Sequence, residues 1–238
     1  MIVQALVYHN FTTLDLISAL QPLSMIPSAQ VEIVAREKGI VPSDAGAPIM
    51  AEYSFETATR TPDVLLVPGG AYANLEALED DELISFLARQ GANAKWIVAV
   101  CSGSLLLGRA GLLKGYNAAS HWSVIDALSA FGATPVRERV VLDRNICTGG
   151  GVTAGVDIGL TIAAAIAGEQ TGKLIELLLE YNPQPPFGTG HPSIADPQTL
   201  EMAKELIAEV YPEARLAPIL QAGPLKPAEA HWQTSADL

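Results

Sequence analysis

Residues 96–108, WIVAVCSGSLLLG, constrain the fold more than any other stretch. Five apolar residues, Trp96 to Val100, suit a strand buried on both faces, as the inner strands of a parallel sheet are. The run stops at Cys101, and Ser102-Gly103-Ser104 opens a helix continued by Leu105, Leu106 and Leu107. A strand that becomes a helix so abruptly must turn sharply. The residue at the turn is then held above the sheet, beside backbone N–H groups with no partner of their own. Those amides and the helix dipole favour negative charge, and so thiolate over thiol. Two readings of Cys101 follow: an activated nucleophile, or a small buried hydrophobe that happens to be cysteine.

The flanking sequence alternates strand and helix patterns. Residues 2–8 read as a first strand, and apolar residues from Leu14 to Ile26 recur at helical spacing, with Thr12 or Thr13 as cap. Residues 31–36 read as a second strand, residues 40–54 as a hairpin excursion, and residues 64–67 as a third strand ended by Pro68-Gly69-Gly70. One amphipathic helix is expected over residues 75–90. Beyond the turn come a short strand near Asn117, a helix over residues 123–131, a hairpin over residues 136–148, and helices over residues 154–167 and 169–180. The Gly149-Gly150-Gly151 run lacks the spacing of a phosphate loop and reads as close packing beside the turn. Cys147 falls inside a strand and reads as an inert core thiol. This alternation predicts an α/β fold: a doubly wound parallel sheet with helices on both faces.

Ligands of such sheets bind outside the carboxyl ends of the strands. Asp15 lies there, although on the residues alone a first-turn acid complementing its helix dipole is the better reading. Gly69-Gly70 either aims an amide at a reacting centre or makes a plain turn. His121 is weighed as a base, and an orienting or packing role at a helix start is favoured.

With 49% hydrophobic and 17% charged residues in 238, the chain has ample material for one core. A formal net charge of −12 argues against a nucleic-acid partner, which needs a basic footprint. No apolar run is long enough to span a membrane, and no basic leader precedes the first strand. Two cysteines make no disulfide framework and no metal spacing, so no metal is expected and a reducing cytoplasm suits the chain. Residues 1–190 are expected to form the α/β domain. Residues 191–238 read as a Pro/Ala-rich extension with one helix at residues 200–210 and a mobile or partner-packed tail from Pro212.

Taken together, Leu14-Asp15-Leu16, Val67-Pro68-Gly69-Gly70, Val100-Cys101-Ser102-Gly103-Ser104, His121-Trp122, the Gly149–Asp157 run and Glu180-Tyr181 resemble the ThiJ/PfpI superfamily. The resemblance covers residue 1 to about residue 187. Within the superfamily it is to the isonitrile-hydrating branch, through residues 137–141 and the Tyr181-Asn182-Pro183 to Phe187 ending. It implies the flavodoxin-like form of the doubly wound sheet and an enzyme without cofactor, a homodimer acting on a small-molecule isonitrile. Cys101 takes the place of the nucleophile and Asp15 that of its acidic partner. The amides of Gly70 and Ser102 take the place of anion-binding donors, Val152 that of a pocket-lining aliphatic residue, and His121 is carried on the substrate side with them. Ser102 stands where that branch usually has Thr, and Ile17-Ser18-Ala19-Leu20 replaces a Gly-Pro pair after the aspartate. A superfamily protease carries His after the nucleophile, where this chain has Ser102. A glyoxalase or deglycase carries Glu in the first loop, where it has Asp15. An oxidation sensor built on the same thiol and a regulatory ligand-binding domain complete the alternatives.

Overall fold

The computed structural model describes residues 1–225. Its main sheet has seven strands in the order β10-β11-β7-β6-β1-β2-β5. These are β1 (Ile2–Leu6), β2 (Gln30–Ala35), β5 (Tyr53–Ser54), β6 (Val64–Val67), β7 (Trp96–Val100), β10 (Val140–Asp143) and β11 (Ile146–Gly149). All neighbours are parallel except the β10–β11 hairpin, where Leu142 faces Cys147. The excursion after β2 is the expected hairpin, β3 (Gly39–Val41) on β4 (Ile49–Ala51). A separate parallel pair joins β8 (Asn117–Ala118) to β9 (Thr134–Pro135).

Helices cover both faces, as the alternation predicts. On one side α1 (Thr13–Ser24) packs on α5 (Ala154–Ala167), which α6 (Glu169–Leu178) follows and covers. On the other lie α2 (Ala71–Glu79), α3 (Asp81–Asn93), α4 (Gly103–Arg109) and a 3-10 helix at Ile125–Phe131. Every residue of β6 is buried, and so are Ile97 to Val100 of β7. At about 1.5–3 kcal/mol per buried large aliphatic side chain, these two strands anchor the core.

Four local expectations are corrected. Residues 75–90 are not one helix: Asp80 breaks the run, with ψ at 92°, and its carboxylate caps α3 by accepting from the Glu82 and Leu83 N–H groups. Neither Thr12 nor Thr13 caps α1 with its hydroxyl. The Thr13 N–H instead donates to Asp44 Oδ1, and its hydroxyl donates to Ser43. The segment after His121 winds as a 3-10 helix beginning at Ile125. Residues beyond Pro212 are not a loose tail as far as residue 225. After α7 (Pro197–Val210), a second helix, α8 (Glu213–Ala222), docks on α2 and the 3-10 helix and buries Ile219. The rest of that expected tail lies outside the described residues.

Candidate active site

β1, β6, β7 and β11 are parallel, and the first three, with β11 beside β7, stand next to one another. Their carboxyl ends therefore open at one rim. Four loops meet there: Tyr8 after β1, Pro68-Gly69-Gly70 after β6, Cys101 after β7 and Gly150-Gly151 after β11.

Cys101 has φ at +58°, and the chain turns straight from β7 into α4. A non-glycine residue in this left-handed region costs about 1–2 kcal/mol, so the surroundings must hold it there. They do so through backbone bonds. The Cys101 N–H donates to Gly149 O at 3.2 Å, and its carbonyl accepts from the Ser120 hydroxyl at 3.1 Å and the Ser104 hydroxyl at 3.2 Å. Gly103 is required at the next turn of chain. A Cβ there would meet Val67 O at 2.4 Å.

Asp15 is fully buried in the first turn of α1. Its Oδ2 accepts from the Gly69 N–H at 2.9 Å, and its Oδ1 has no hydrogen-bond partner among protein groups. Its carboxyl lies against the Cys101 thiol, each shifting the other's ionisation. Burial dominates for Asp15 and pushes its pKa up from 3.8 to about 7, against the opposing pull of the Gly69 amide and the thiol. A dipole-complementing surface acid would show neither feature. For Cys101 burial again comes first, then the Asp15 charge, and the thiol is pushed well above its ordinary value. The Ser102 N–H and hydroxyl act in the opposite direction and are outweighed. The expected low-pKa thiolate is therefore corrected: the helix start eases ionisation but does not overcome desolvation beside a carboxyl.

Gly69 sits between the two loops at close quarters. A Cβ on it would fall 2.5 Å from Ser102 Oγ and 2.8 Å from Asp15 Oδ2. The Gly70 N–H points to Ser102 Oγ at 3.4 Å, and Asn74 Nδ2 donates to Ser102 O at 3.2 Å. Gly70, Ser102, Asp15 and Cys101 are thus brought together. His121 and Val152 are placed differently. His121 Nδ1 pairs with the Ser123 hydroxyl at 2.6 Å, burial lowers its pKa, and it lines a neighbouring cavity of about 550 Å³ with Trp122, Arg139, Gly151 and His191. Cys101 and Asp15 do not line that cavity. Val152 is held by its carbonyl, which accepts from the Ser18 hydroxyl of α1 at 3.3 Å. Cys147 is buried in β11 with its thiol pushed up to about 12, as a core thiol should be.

Two tyrosines at the site escaped the sequence reading. Tyr8 is buried and donates to Pro68 O at 3.2 Å. Its place just past a strand end was the signal that could have found it. Tyr211, at the end of α7, lies near enough to Ser102, Cys101 and Asp15 for each to bear on its ionisation, and desolvation raises its pKa. Nothing local in the sequence marks it.

Among the described residues, no group of three or more His, Cys, Asp and Glu side chains is placed to hold a metal ion, and no helix is long and apolar enough to cross a membrane.

A parallel sheet clad on both faces, with a cysteine at a strained strand-to-helix turn against a buried carboxyl, defines the flavodoxin-like class of α/β proteins with a cysteine elbow. The chain belongs to the DJ-1/PfpI family, whose family model matches residues 2–165. It is 39% identical over 203 residues to isonitrile hydratase of Pseudomonas putida, covering 85% of this chain and 88% of that protein. The crystal structure of a ThiJ/PfpI family protein from Pseudomonas syringae superposes with a TM-score of 0.88 at 42% identity, covering 92% of this chain and 90% of the other. A helix-turn-helix transcriptional regulator of Pseudomonas aeruginosa, GbdR, is 29% identical over 184 residues, which span 74% of this chain and 49% of the regulator.

Proposed function

We propose that the protein hydrates an isonitrile to an N-substituted formamide, with Cys101 as nucleophile and Asp15 as the proton carrier. The observation that carries this reading is the Asp15–Cys101 pair itself. A thiol pushed up by burial lies against a carboxyl raised to about 7, so the two titrate as one coupled pair. The similarity to isonitrile hydratase over most of both chains supports the substrate class.

In the reacting tautomer the proton is on Asp15 and the sulfur is a thiolate. The sulfur attacks the terminal isonitrile carbon, and Asp15 delivers its proton to the same carbon. A thioimidate, R–N=CH–S–Cys101, results. Ionised Asp15 then draws a proton from water as the hydroxyl adds to carbon, and passes that proton to nitrogen, which leaves the carboxylate ionised again. Collapse of R–NH–CH(OH)–S–Cys101 expels the thiolate, returns the hydroxyl proton to Asp15 and releases R–NH–CHO. The Gly70 and Ser102 amides at the rim stabilise negative charge at the turn. His121 borders the substrate from the side of the neighbouring cavity, and Val152 contributes an aliphatic wall beside α1.

The chain is further expected to work as a homodimer in the cytoplasm. Both cysteines are free thiols, and α6 leaves Leu174, Leu177 and Leu178 exposed for a second copy to cover. Light scattering on the purified chain tests the pairing. The decisive test of the activity is formamide production from a small alkyl isonitrile, with Cys101→Ala as control. An intact wild-type chain that leaves the isonitrile unchanged overturns the reading.

A further inference from the structure

The three glycines after β11 are not alike. A Cβ at Gly149 would fall 2.4 Å from Ile158 Cδ1, so packing against α5 requires that glycine. Gly150 and Gly151 carry no such demand. Neither has a positive φ, and beyond its chain neighbours a Cβ on either would meet nothing nearer than 3.5 Å. Their missing side chains leave open floor. Both line the cavity of about 550 Å³ beside the Cys101 rim, a volume in the range of small-molecule sites. Trp122, Ile125 and Pro192 supply apolar wall. The cavity reaches close to the cysteine turn, because Ser120, whose hydroxyl donates to Cys101 O at 3.1 Å, lines it too.

His121 and His191, far apart in the chain, line this cavity from the same kind of turn. In each, the ring Nδ1 pairs with the hydroxyl of the serine two residues on, at 2.6 Å for His121 and 2.7 Å for His191. The backbone N–H of that serine donates to the same Nδ1, at 3.4 Å and 3.2 Å respectively. A backbone N–H can only donate, so Nδ1 must offer its lone pair, and the proton of the neutral ring sits on Nε2. Both rings therefore turn an N–H donor away from their own chain. For His121 the Cδ2–Nε2 edge lies over Gly151, 3.5 Å and 4.0 Å from where a Cβ would stand. The charges beside the cavity are already matched. Arg137 Nη2 donates to both Asp126 oxygens at 2.6 Å and 2.7 Å, and Arg139 donates to Asp157 Oδ2 through Nε at 3.0 Å and Nη2 at 2.7 Å. An anion would find each guanidinium engaged and would meet the exposed Glu138 as well. We propose that this cavity binds an uncharged, ring-bearing group through a carbonyl or ether oxygen, which accepts from the Nε2–H of His121 and His191 while the ring lies against Trp122. That group is the substituent of the substrate or a separate molecule, and the site does not depend on the hydration reading.

The test is nitrogen NMR of the imidazoles in the full chain at neutral pH, with para-methylacetophenone as probe. Before addition both rings should show the Nε2–H tautomer, and an Nδ1–H ring at either position overturns the proposal. On titration the Nε2 signals of His121 and His191 should move together and saturate. If they stay still, there is no such site. Para-isopropyltoluene has nearly the same shape without the oxygen and should bind about tenfold more weakly, the size of one or two net hydrogen bonds. Equal binding of the two overturns the donor assignment. His191→Phe should remove most of the ketone's advantage. His191→Gln, whose amide reaches the place of Nε2, should keep most of it, and a glutamine variant as poor as the phenylalanine one also counts against the donor. Turnover then tells the source of the group. A roughly tenfold higher kcat/KM for para-acetylbenzyl than for para-isopropylbenzyl isonitrile, lost in His191→Phe, marks the substrate's own substituent. Ketone binding without that preference marks a separate molecule. A chain that binds the ketone and hydrates neither isonitrile sinks the hydration reading and leaves the site standing.

Discussion

The Gly69 N–H donates to one oxygen of the Asp15 carboxyl at 2.9 Å, and the other oxygen is left without a partner in a buried site. A carboxylate placed to be a structural ion would have both oxygens satisfied. Half-satisfaction leaves Asp15 fixed in direction and free at the oxygen that can trade a proton with the sulfur.

The two reacting groups differ in what their loss removes. Cys101→Ala is expected to abolish turnover, because no covalent intermediate forms. Asp15→Asn keeps the acceptor for Gly69 and loses the proton, so kcat is expected to fall at least about 100-fold, the usual size of a general acid–base contribution. Steady-state kinetics on both variants checks this, and retained turnover in Cys101→Ala rules out the covalent scheme.

The pH dependence has a definite sign. The competent state carries one proton on the pair. Below a pH of about 7 a second proton binds and gives thiol and carboxylic acid together. The value of kcat/KM is therefore expected to rise with pH through about 7 and then level off. The profile of Asp15→Asn should lack that step.

Stability follows the same group in the opposite direction. The Asp15 pKa is raised on folding from 3.8 to about 7, so the folded state binds more protons between those values. Its contribution is fully present below about pH 4 and lost as pH rises through about 7. The gap corresponds to at most ~4 kcal/mol. Denaturant unfolding should show wild type losing stability relative to Asp15→Asn between pH 4 and 8. Parallel curves for the two proteins would exclude the shift.

Helix α1 carries Asp15, and its seat on α5 is very close. A Cβ at Gly155 would fall 1.9 Å from Ser18 Oγ and 3.0 Å from the Ala19 backbone nitrogen. Gly155→Ala must push the helices apart, at about 1–3 kcal/mol. Thermal unfolding should show that loss, and turnover should fall as well, because Asp15 moves with α1. Turnover unaffected at a lowered Tm would show that the carboxyl position is independent of this contact.

Much of this architecture was legible because burial on both faces leaves a plain mark. Val64–Val67 and Trp96–Val100 read as inner strands, and abrupt turning at Cys101 followed from the Ser-Gly-Ser that comes next. The break at Asp80 was also written in the chain, as an acid cap ahead of Asp81 and Glu82, but the continuous apolar face across it concealed the stop. The ionisation of the thiol was not legible. It depends on how much water the folded rim excludes and on where a carboxyl from another element comes to rest. Tyr211 was hidden for a related reason. It comes back to the neighbourhood of Ser102 after 108 intervening residues, and no local pattern encodes that.

The left-handed backbone at Cys101 has an evolutionary reading. Glycine would occupy that turn without steric penalty, and a lineage selected for durability alone would drift toward it. A side chain survives there only while something rewards its presence. Catalogues of natural variants sorted by heat tolerance should therefore show glycine at this turn chiefly in chains that have given up chemistry.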